Sequence, residues 1–391
     1  EFVWMDDCPP FDGRCTPPPL PVHADPAALE DVARQLVSAK RPVLVTGSAG
    51  RDTRNVAILV ELAERLAMPV VEAGPDFLNF PRGHQLHQGF NADQLMNEAD
   101  VVVLVATQLP WYPASRRPGN AKIIQIDDDP SNERLPYWGF QVDVVIPGEL
   151  NSTLQQLNAL VAKLDTASVS VADARKERLA ELAGRQEKSR EDARSKALAL
   201  SNNHPMSSLF AAQVIGEELP QNVALVEETI TQKGMVLRHV VRNLPGTACR
   251  APGGGLGKGM GLALGLKVAD PDRPVALIVG DGSFYYNPVP AAFGFAQQYN
   301  APILVIIMDN RGYGSEKDDI VRLYPDGYSV RTGTFLGSLI EPTPDYAGFA
   351  QAFGGYGERV EDPQELRGAI RRALEQVNAG RLALLDLFVQ P

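Results

Sequence analysis

Cysteine is scarce, with 3 residues among 391. Cys8 and Cys15 stand in a proline-rich segment and Cys249 stands far away, with no Cys-x-x-Cys and no Cys/His cluster. That excludes a zinc site of familiar spacing and a disulfide framework, and makes a reducing, cytoplasmic setting the expected one. Long apolar runs are also missing: none approaches the ~18 residues of a membrane span. Positive charge is in deficit, with 37 Lys and Arg against 48 Asp and Glu and a net charge of −11. This argues against a nucleic-acid or anionic-membrane partner. What remains, 44% hydrophobic and 22% charged residues, is the composition of a soluble globular protein, long enough for two or three domains.

The opening stretch EFVWMDDCPPFDGRCTPPPLPV has no charged segment leading into an apolar core, so it does not read as a signal peptide. Its prolines predict an extended linker over residues 1–23. A chain that opens in a linker is expected to have lost, or to be separate from, something upstream.

After it, PAALEDVARQLVSAK has helical spacing, RPVLVTGSAGR is a short apolar run breaking into glycine, and NVAILVELAERLAMPVV reads as a helix entering a strand. ADVVVLVATQ and AKIIQIDDDP are two further buried-type strands. Short β-branched strands alternating with helices predict a parallel sheet covered on both faces. Residues 24–165 are therefore expected to form one α/β domain. DARKERLAELAGRQEKSREDARSKALAL is dense in charge and helix formers, and predicts a solvated helical linker over 166–205 rather than an interaction helix. Over 206–391 a second α/β pattern follows, with strands in NVALVEETITQ, PVALIVGDGS, APILVIIMDN and ALLDLFV. The expected fold class is thus α/β, with two doubly wound parallel-sheet domains joined by a charged helix.

Ligands of open α/β sheets sit at the carboxyl ends of strands. Two strands in the second domain end in Gly280-Asp281-Gly282-Ser283 and in Asp309-Asn310-Arg311-Gly312, separated by one helix. Such a unit places the two ends side by side. Asp281 offers a carboxylate, Asn310 a side-chain carbonyl and Gly312 a main-chain carbonyl, an all-oxygen set that suits Mg²⁺ arriving with phosphate oxygens. Alone, each tetrapeptide is a common turn; together they make a candidate site for metal and diphosphate.

These residues resemble the fingerprint of the thiamin-diphosphate-dependent enzymes. The resemblance implies Mg²⁺ on Asp281, Asn310 and the carbonyl of Gly312, with Gly282 and Ser283 at the diphosphate. There are two departures. The usual Asn-Asn is Asp309-Asn310 here, and the stretch between the two ends is longer than in acetolactate synthases, with Pro288 and Pro290 in the added region. GGGLGKGMGLALGLKVADP resembles the segment before the fingerprint in the acetolactate synthase and benzoylformate decarboxylase branch. It implies a main-chain carbonyl at Gly254 for the aminopyrimidine, and Leu256, rather than Met260, as an apolar wedge under the cofactor; a helix start packed on glycines is the plainer alternative. EETITQKG falls where the family has further diphosphate hydroxyls, which makes Thr229 and Thr231 candidates. Lys258 is expected in solvent. Tyr313, Glu316 and Tyr324 are candidates for a pocket lining, in a stretch where the family often keeps a mobile cover.

The first domain resembles the middle domain of the same family, which in some members binds FAD or ADP. Asp127 and Asp129 are placed for a ribose but are expected instead to start a turn before Pro130, and His84 and His87 are expected to serve packing. The family also needs a glutamate on a pyrimidine-binding domain, and nothing before Pro26 is expected to form one. The resemblance implies a partner chain or a cleaved N-terminal part that supplies it, in a hetero-oligomer built on a dimer. It also implies a 2-oxo acid, aldehyde or acyloin as substrate. Two functions stay open: the diphosphate-binding part of a lyase, decarboxylase or carboligase, or a non-catalytic cofactor- or nucleotide-binding regulatory or scaffold subunit.

Overall fold

The computed structural model describes residues 20–390 apart from 114, 116, 118, 133, 134, 136–138, 167, 251 and 252. Most of the expected linker, with Cys8 and Cys15, lies outside the described residues.

Five strands form the first sheet: β1 (Pro42–Thr46), β2 (Val70–Glu72), β3 (Val101–Val105), β4 (Lys122–Asp127) and β5 (Val144–Pro147). All pairs are parallel, in the order β2-β1-β3-β4-β5. Successive side chains of a strand point to opposite faces, so each apolar run feeds two cores. Leu44, Val103, Ile124 and Ile126 pack under the helices Pro26–Ser38, Arg54–Leu66 and Leu150–Leu164. Val43, Val45, Val102 and Ile123 pack on the other side with Met96, Trp111 and Phe140. The first helix starts where the sequence dictates: Asp25 accepts from the Ala28 N–H at 2.8 Å and Pro26 occupies the first turn.

The second sheet holds β6 (Ala224–Glu228), β7 (Ala248–Cys249), β8 (Val275–Gly280), β9 (Leu304–Asp309), β10 (Tyr356–Val360) and β11 (Ala383–Phe388). It is parallel throughout, in the order β10-β11-β9-β8-β6-β7. The chain winds outward from β6 to β7 and then resumes on the other side at β8. The crevice at the carboxyl ends of β6 and β8 is therefore a topological switch point, the place where such sheets hold ligands. The stretch between β8 and β9 forms two helices, Asp281–Tyr286 and Val289–Gln298, divided at Asn287-Pro288. Pro288 and Pro290 thus stand at the break and in the first turn of the second helix. Within KGMVLRHVVRNL the helix spans Lys233–His239.

The charged helix spans Val169–Leu198 and buries only Leu182, Ala193 and Ala197. Arginine fixes it to the first domain. Arg175 pairs with Asp165 at 2.8 Å, and Arg178 donates to the carbonyls of Ala67 (2.8 Å) and Leu66 (2.6 Å). A second junction comes from the segment after β2. Its Leu78 N–H donates to Ala248 O at 3.0 Å, and Asp76 O accepts from the Arg250 N–H at 2.9 Å. Phe77 pairs antiparallel with Cys249, so the first domain covers the otherwise open edge at β7.

Candidate functional site

β8 runs apolar and buried up to Gly280, and Asp281 then opens a helix directly. Its carboxylate is almost fully buried at 1% exposure. Oδ1 accepts from the Gly282 N–H and Oδ2 from the Gly312 N–H, both at 2.8 Å. One side chain thus ties the end of β8 to the turn after β9. That turn is tight: Arg311 is left-handed, at φ 61°, a region uncommon for a residue with a β-carbon. Asp309 stabilises it by accepting from the Arg311 N–H at 3.1 Å. Gly312 is required by space, because a β-carbon there would lie 2.3 Å from Ser338 O.

The outcome is a convergence of oxygens. The Asn310 side-chain oxygen lies 3.0 Å from Asp281 Oδ1 and 3.0 Å from Gly312 O. Three oxygens facing one another repel. Rotating the amide by a half-turn would replace the repulsion with two hydrogen bonds, and a cation among them would replace it with attraction. The spacing fits both arrangements: 3.0 Å is the length of an N–H···O hydrogen bond, and ligands at right angles around Mg²⁺, each ~2.1 Å from the metal, also stand ~3.0 Å apart. Burial raises the pKa of Asp281, and the adjacent Asp309 charge adds to it, against the N–H groups of Gly282 and Gly312. Burial likewise raises Asp309. A divalent cation would favour the charged form of both. Among the described residues no cluster of three or more His, Cys, Asp or Glu could hold a metal; this set has one carboxylate and two carbonyls.

The turn opens on a cleft lined by Thr231, Leu256, Asp281, Ser283, Asn310 and Gly312. Gly282, Tyr313 and Glu316 also border it. Of the predicted cofactor residues, Thr231, Leu256, Gly282 and Ser283 are therefore brought together with the whole predicted metal set. Met260, the alternative wedge, is fully buried in the core beneath β8. Two candidates depart from expectation. Thr229 does not line the cleft: it is buried, and both its N–H (2.6 Å) and its hydroxyl donate to Glu227 Oε1. Gly254 is exposed and does not line the cleft either. Tyr324 stands 65% exposed away from it. Lys258 has an exposed side chain. The segment 313–342 carries the helices Gly314–Leu323 and Tyr328–Thr332.

Glu228 escaped the sequence reading. At the end of β6, Oε1 accepts from the Lys258 N–H at 2.8 Å and Oε2 from Asn287 Nδ2 at 2.7 Å. Asn287 Oδ1 in turn accepts from the Met260 N–H at 3.0 Å. The acid fastens the glycine-rich loop that carries Leu256 to the end of the helix that begins at Asp281. The only sequence signal was an acidic pair closing an apolar strand.

The first domain offers little to a nucleotide at the loop after β1. The Ser48 N–H donates to Ala106 O at 2.9 Å, that of Gly50 to Asn79 Oδ1 at 2.8 Å, and that of Arg51 to Ser48 O at 3.1 Å. A β-carbon on Gly50 would lie 2.0 Å from Leu78 O, so this glycine serves packing. Asp127 accepts from the Asp129 N–H at 3.1 Å, and Asp128 pairs with Arg51 at 2.6 Å. His84 faces Glu64, and His87 joins Arg82 on Glu72. These groups are engaged in structure, as expected of the turn and of the histidines.

Comparison with known proteins matches residues 230–387 to the thiamine pyrophosphate enzyme C-terminal TPP binding domain and residues 29–157 to the thiamine pyrophosphate enzyme central domain. A sulfoacetaldehyde acetyltransferase of Rhodobacter capsulatus is 28% identical over 95% of this chain and 65% of its own length. The large subunit of acetolactate synthase isozyme 3 of Escherichia coli is 26% identical, over 90% of this chain and 60% of its own. A benzoylformate decarboxylase of Pseudomonas aeruginosa is also 26% identical, over 93% and 64%. The chain thus spans less than two thirds of these relatives. In fold it is similar to the benzoylformate decarboxylase of Polynucleobacter necessarius, at a TM-score of 0.75 and 21% identity, covering 98% of this chain and 68% of that one.

Proposed function

Because this chain belongs to the thiamine pyrophosphate enzymes and carries their central and C-terminal domains, we propose that it holds the metal and diphosphate of a thiamin-diphosphate-dependent lyase or carboligase. The observation that carries this reading is the oxygen triangle of Asp281, Asn310 and Gly312, with the Asn310 side-chain oxygen 3.0 Å from each of the other two, at the switch point of the sheet. In this reading Asp281, Asn310 and the Gly312 carbonyl hold Mg²⁺. Gly282, Ser283 and Thr231 face the diphosphate, and Leu256 packs against the cofactor from the glycine-rich loop. Thr229 and Gly254 are left out of the assignment by their positions. The domain bounds 24–165 and 206–391, with the helical linker between them, are proposed on the same basis.

The chemistry the bound cofactor supplies is an electron sink beside a carbonyl carbon. The chain's own groups bind and orient it: the carboxylate of Asp281 offsets metal charge, and the Glu228 clasp keeps Leu256 in place. The substrate class is a 2-oxo acid, aldehyde or acyloin. The activating glutamate comes from a pyrimidine-binding domain, on another chain or on a further N-terminal part, within a hetero-oligomer built on a dimer. Exposed small and apolar residues of the second domain support this reading. Gly261 and Gly265 lie exposed on the helix Gly259–Ala269 with open space beside them, and Val268, Tyr285 and Tyr286 are exposed. Apolar surface of this kind is usually covered. Among the described residues no helix is long and apolar enough to cross a membrane.

Titration calorimetry with thiamin diphosphate and Mg²⁺ tests the assignment. Wild type binds in a Mg²⁺-dependent manner, and a folded D281A protein does not. Unchanged affinity in D281A would remove the metal site and the function built on it.

A further inference from the structure

Beneath the metal turn lies a buried acid pair. Asp309 is 0% and Asp386 1% exposed. Arg359, one strand further out on β10, meets both: Nη1 lies 2.8 Å from Asp386 Oδ2 and 3.5 Å from Asp309 Oδ2. Among the described residues no other cation is ion-paired to either acid. Buried charges of one sign are tolerated only when paired. The guanidinium is held in place in turn by Glu361, at 2.7 Å from Nε, and by the Phe388 ring at 4.8 Å. Arg311, inside the metal turn, stands over the same ring at 4.8 Å. Asp309 is therefore gripped from two sides: Oδ2 by Arg359, and Oδ1 by the N–H of the left-handed Arg311.

We infer that Arg359 is a positioning residue for the metal turn: it fixes the Asp309 carboxylate, which holds the turn that aims Asn310 and the Gly312 carbonyl at Asp281. The inference rests on the proposed Mg²⁺ site. It explains how an acid is accommodated at position 309 directly beside a metal-binding carboxylate. Arg359 touches neither metal nor cofactor; its effect passes through Asp309.

The test measures Mn²⁺ affinity of the full chain in the presence of inorganic diphosphate, by the electron paramagnetic resonance of free Mn²⁺. R359M should bind Mn²⁺ about 10-fold more weakly than wild type, the lower end of the effect of outer partners at metal sites. In a D309N background, where the neutral amide needs no cation, the same replacement should have no effect. A loss of equal size in both backgrounds, or rescue by D386N and not by D309N, would assign Arg359 to Asp386 alone and overturn the inference. Wild-type affinity in R359M would overturn it as well. Should R359M fail to fold, R359K is compared in the two backgrounds in the same way, with a loss expected only where Asp309 is present. D281A separates this inference from the reading beneath it: if D281A keeps its Mn²⁺ affinity, the metal site itself is wrong, whereas loss in D281A with none in R359M defeats only the role of Arg359.

Discussion

The Gly312 N–H donates to Asp281 Oδ2 across 2.8 Å, joining two strand ends 31 residues apart in the chain. This bond sets the distance between the two halves of the oxygen triangle. Its weak point is the space around Gly312, where a β-carbon would meet Ser338 O at 2.3 Å. G312A should force the turn away from the 338–340 segment, destabilise the protein by about 2 kcal/mol as overpacking does, and weaken Mg²⁺-dependent binding. Urea unfolding and calorimetry on the same preparation check both effects. Unchanged metal affinity in a destabilised G312A protein would mean that the main-chain carbonyl takes no part.

Glu228 should matter more than its distance from the metal suggests. E228A leaves the Lys258 N–H and the Asn287 amide without their acceptor. Hydrogen bonds to a charged group contribute about 1.5–3 kcal/mol each, and the two are coupled, so a loss of about 3 kcal/mol is expected. The loop at 253–258 should also become susceptible to protease, and cofactor affinity should fall because Leu256 is no longer held. A stable E228A protein with an intact loop would show that the glycines alone fix its path.

The sequence was most legible where strands are buried on both faces. β1, β3, β4, β6, β8, β9 and β11 all read as apolar runs, since a central parallel strand has no polar side. The strands that escaped, β5, β7 and β10, are all at sheet edges. β10 is half-buried or exposed up to its last residue and carries Glu358 and Arg359, and β7 is only two residues long. These edge strands lack the apolar signal because one side meets solvent or a neighbouring segment, whereas the edge strand β2 is buried throughout and was legible. The candidate site divides in the same way. Asp281, Asn310 and Gly312 were readable from local order, because consecutive parallel strands joined by a short helical crossover usually pair, as β8 and β9 do. Thr229 and Thr231 differ only in where the backbone leaves β6, and Glu228 and Arg359 act through partners 30 or more residues away. No local pattern records such partners.

Acid should expose a different buried group. Burial disfavours the charged form of Glu72, but Arg82 at 2.8 Å and His87 at 3.2 Å outweigh it and hold its pKa at about 2, against an ordinary 4.5. A carboxylate depressed in the folded state stabilises the fold above its unfolded pKa. That contribution fades as pH falls from about 4.5 toward about 2, and is worth about 3 kcal/mol. Wild type should therefore lose about that much stability over this window that E72Q does not lose. E72Q should begin less stable at pH 7, since Arg82 is left buried without its partner. Denaturant unfolding at several pH values checks the two slopes, and parallel slopes would show that Glu72 is not ionised in the fold.

The exposed glycines of the helix Gly259–Ala269 separate folding from assembly. Gly265 has nothing within 4 Å of an added β-carbon, so the chain's own fold gives no reason for glycine there. Glycine inside a helix costs about 1 kcal/mol relative to alanine. G265A should therefore stabilise this chain by up to about 1 kcal/mol in urea unfolding, and G265L by nearly as much. If the face is where a pyrimidine-binding domain packs, the larger side chain holds the two surfaces apart. G265L should then weaken association with that domain, measured by sedimentation, and lower cofactor affinity in the complex, while metal and diphosphate binding by this chain stay as in wild type. The opposed signs matter: a variant more stable alone yet poorer in assembly is not explained by misfolding. Full assembly by G265L would place the partner on another face of the second domain.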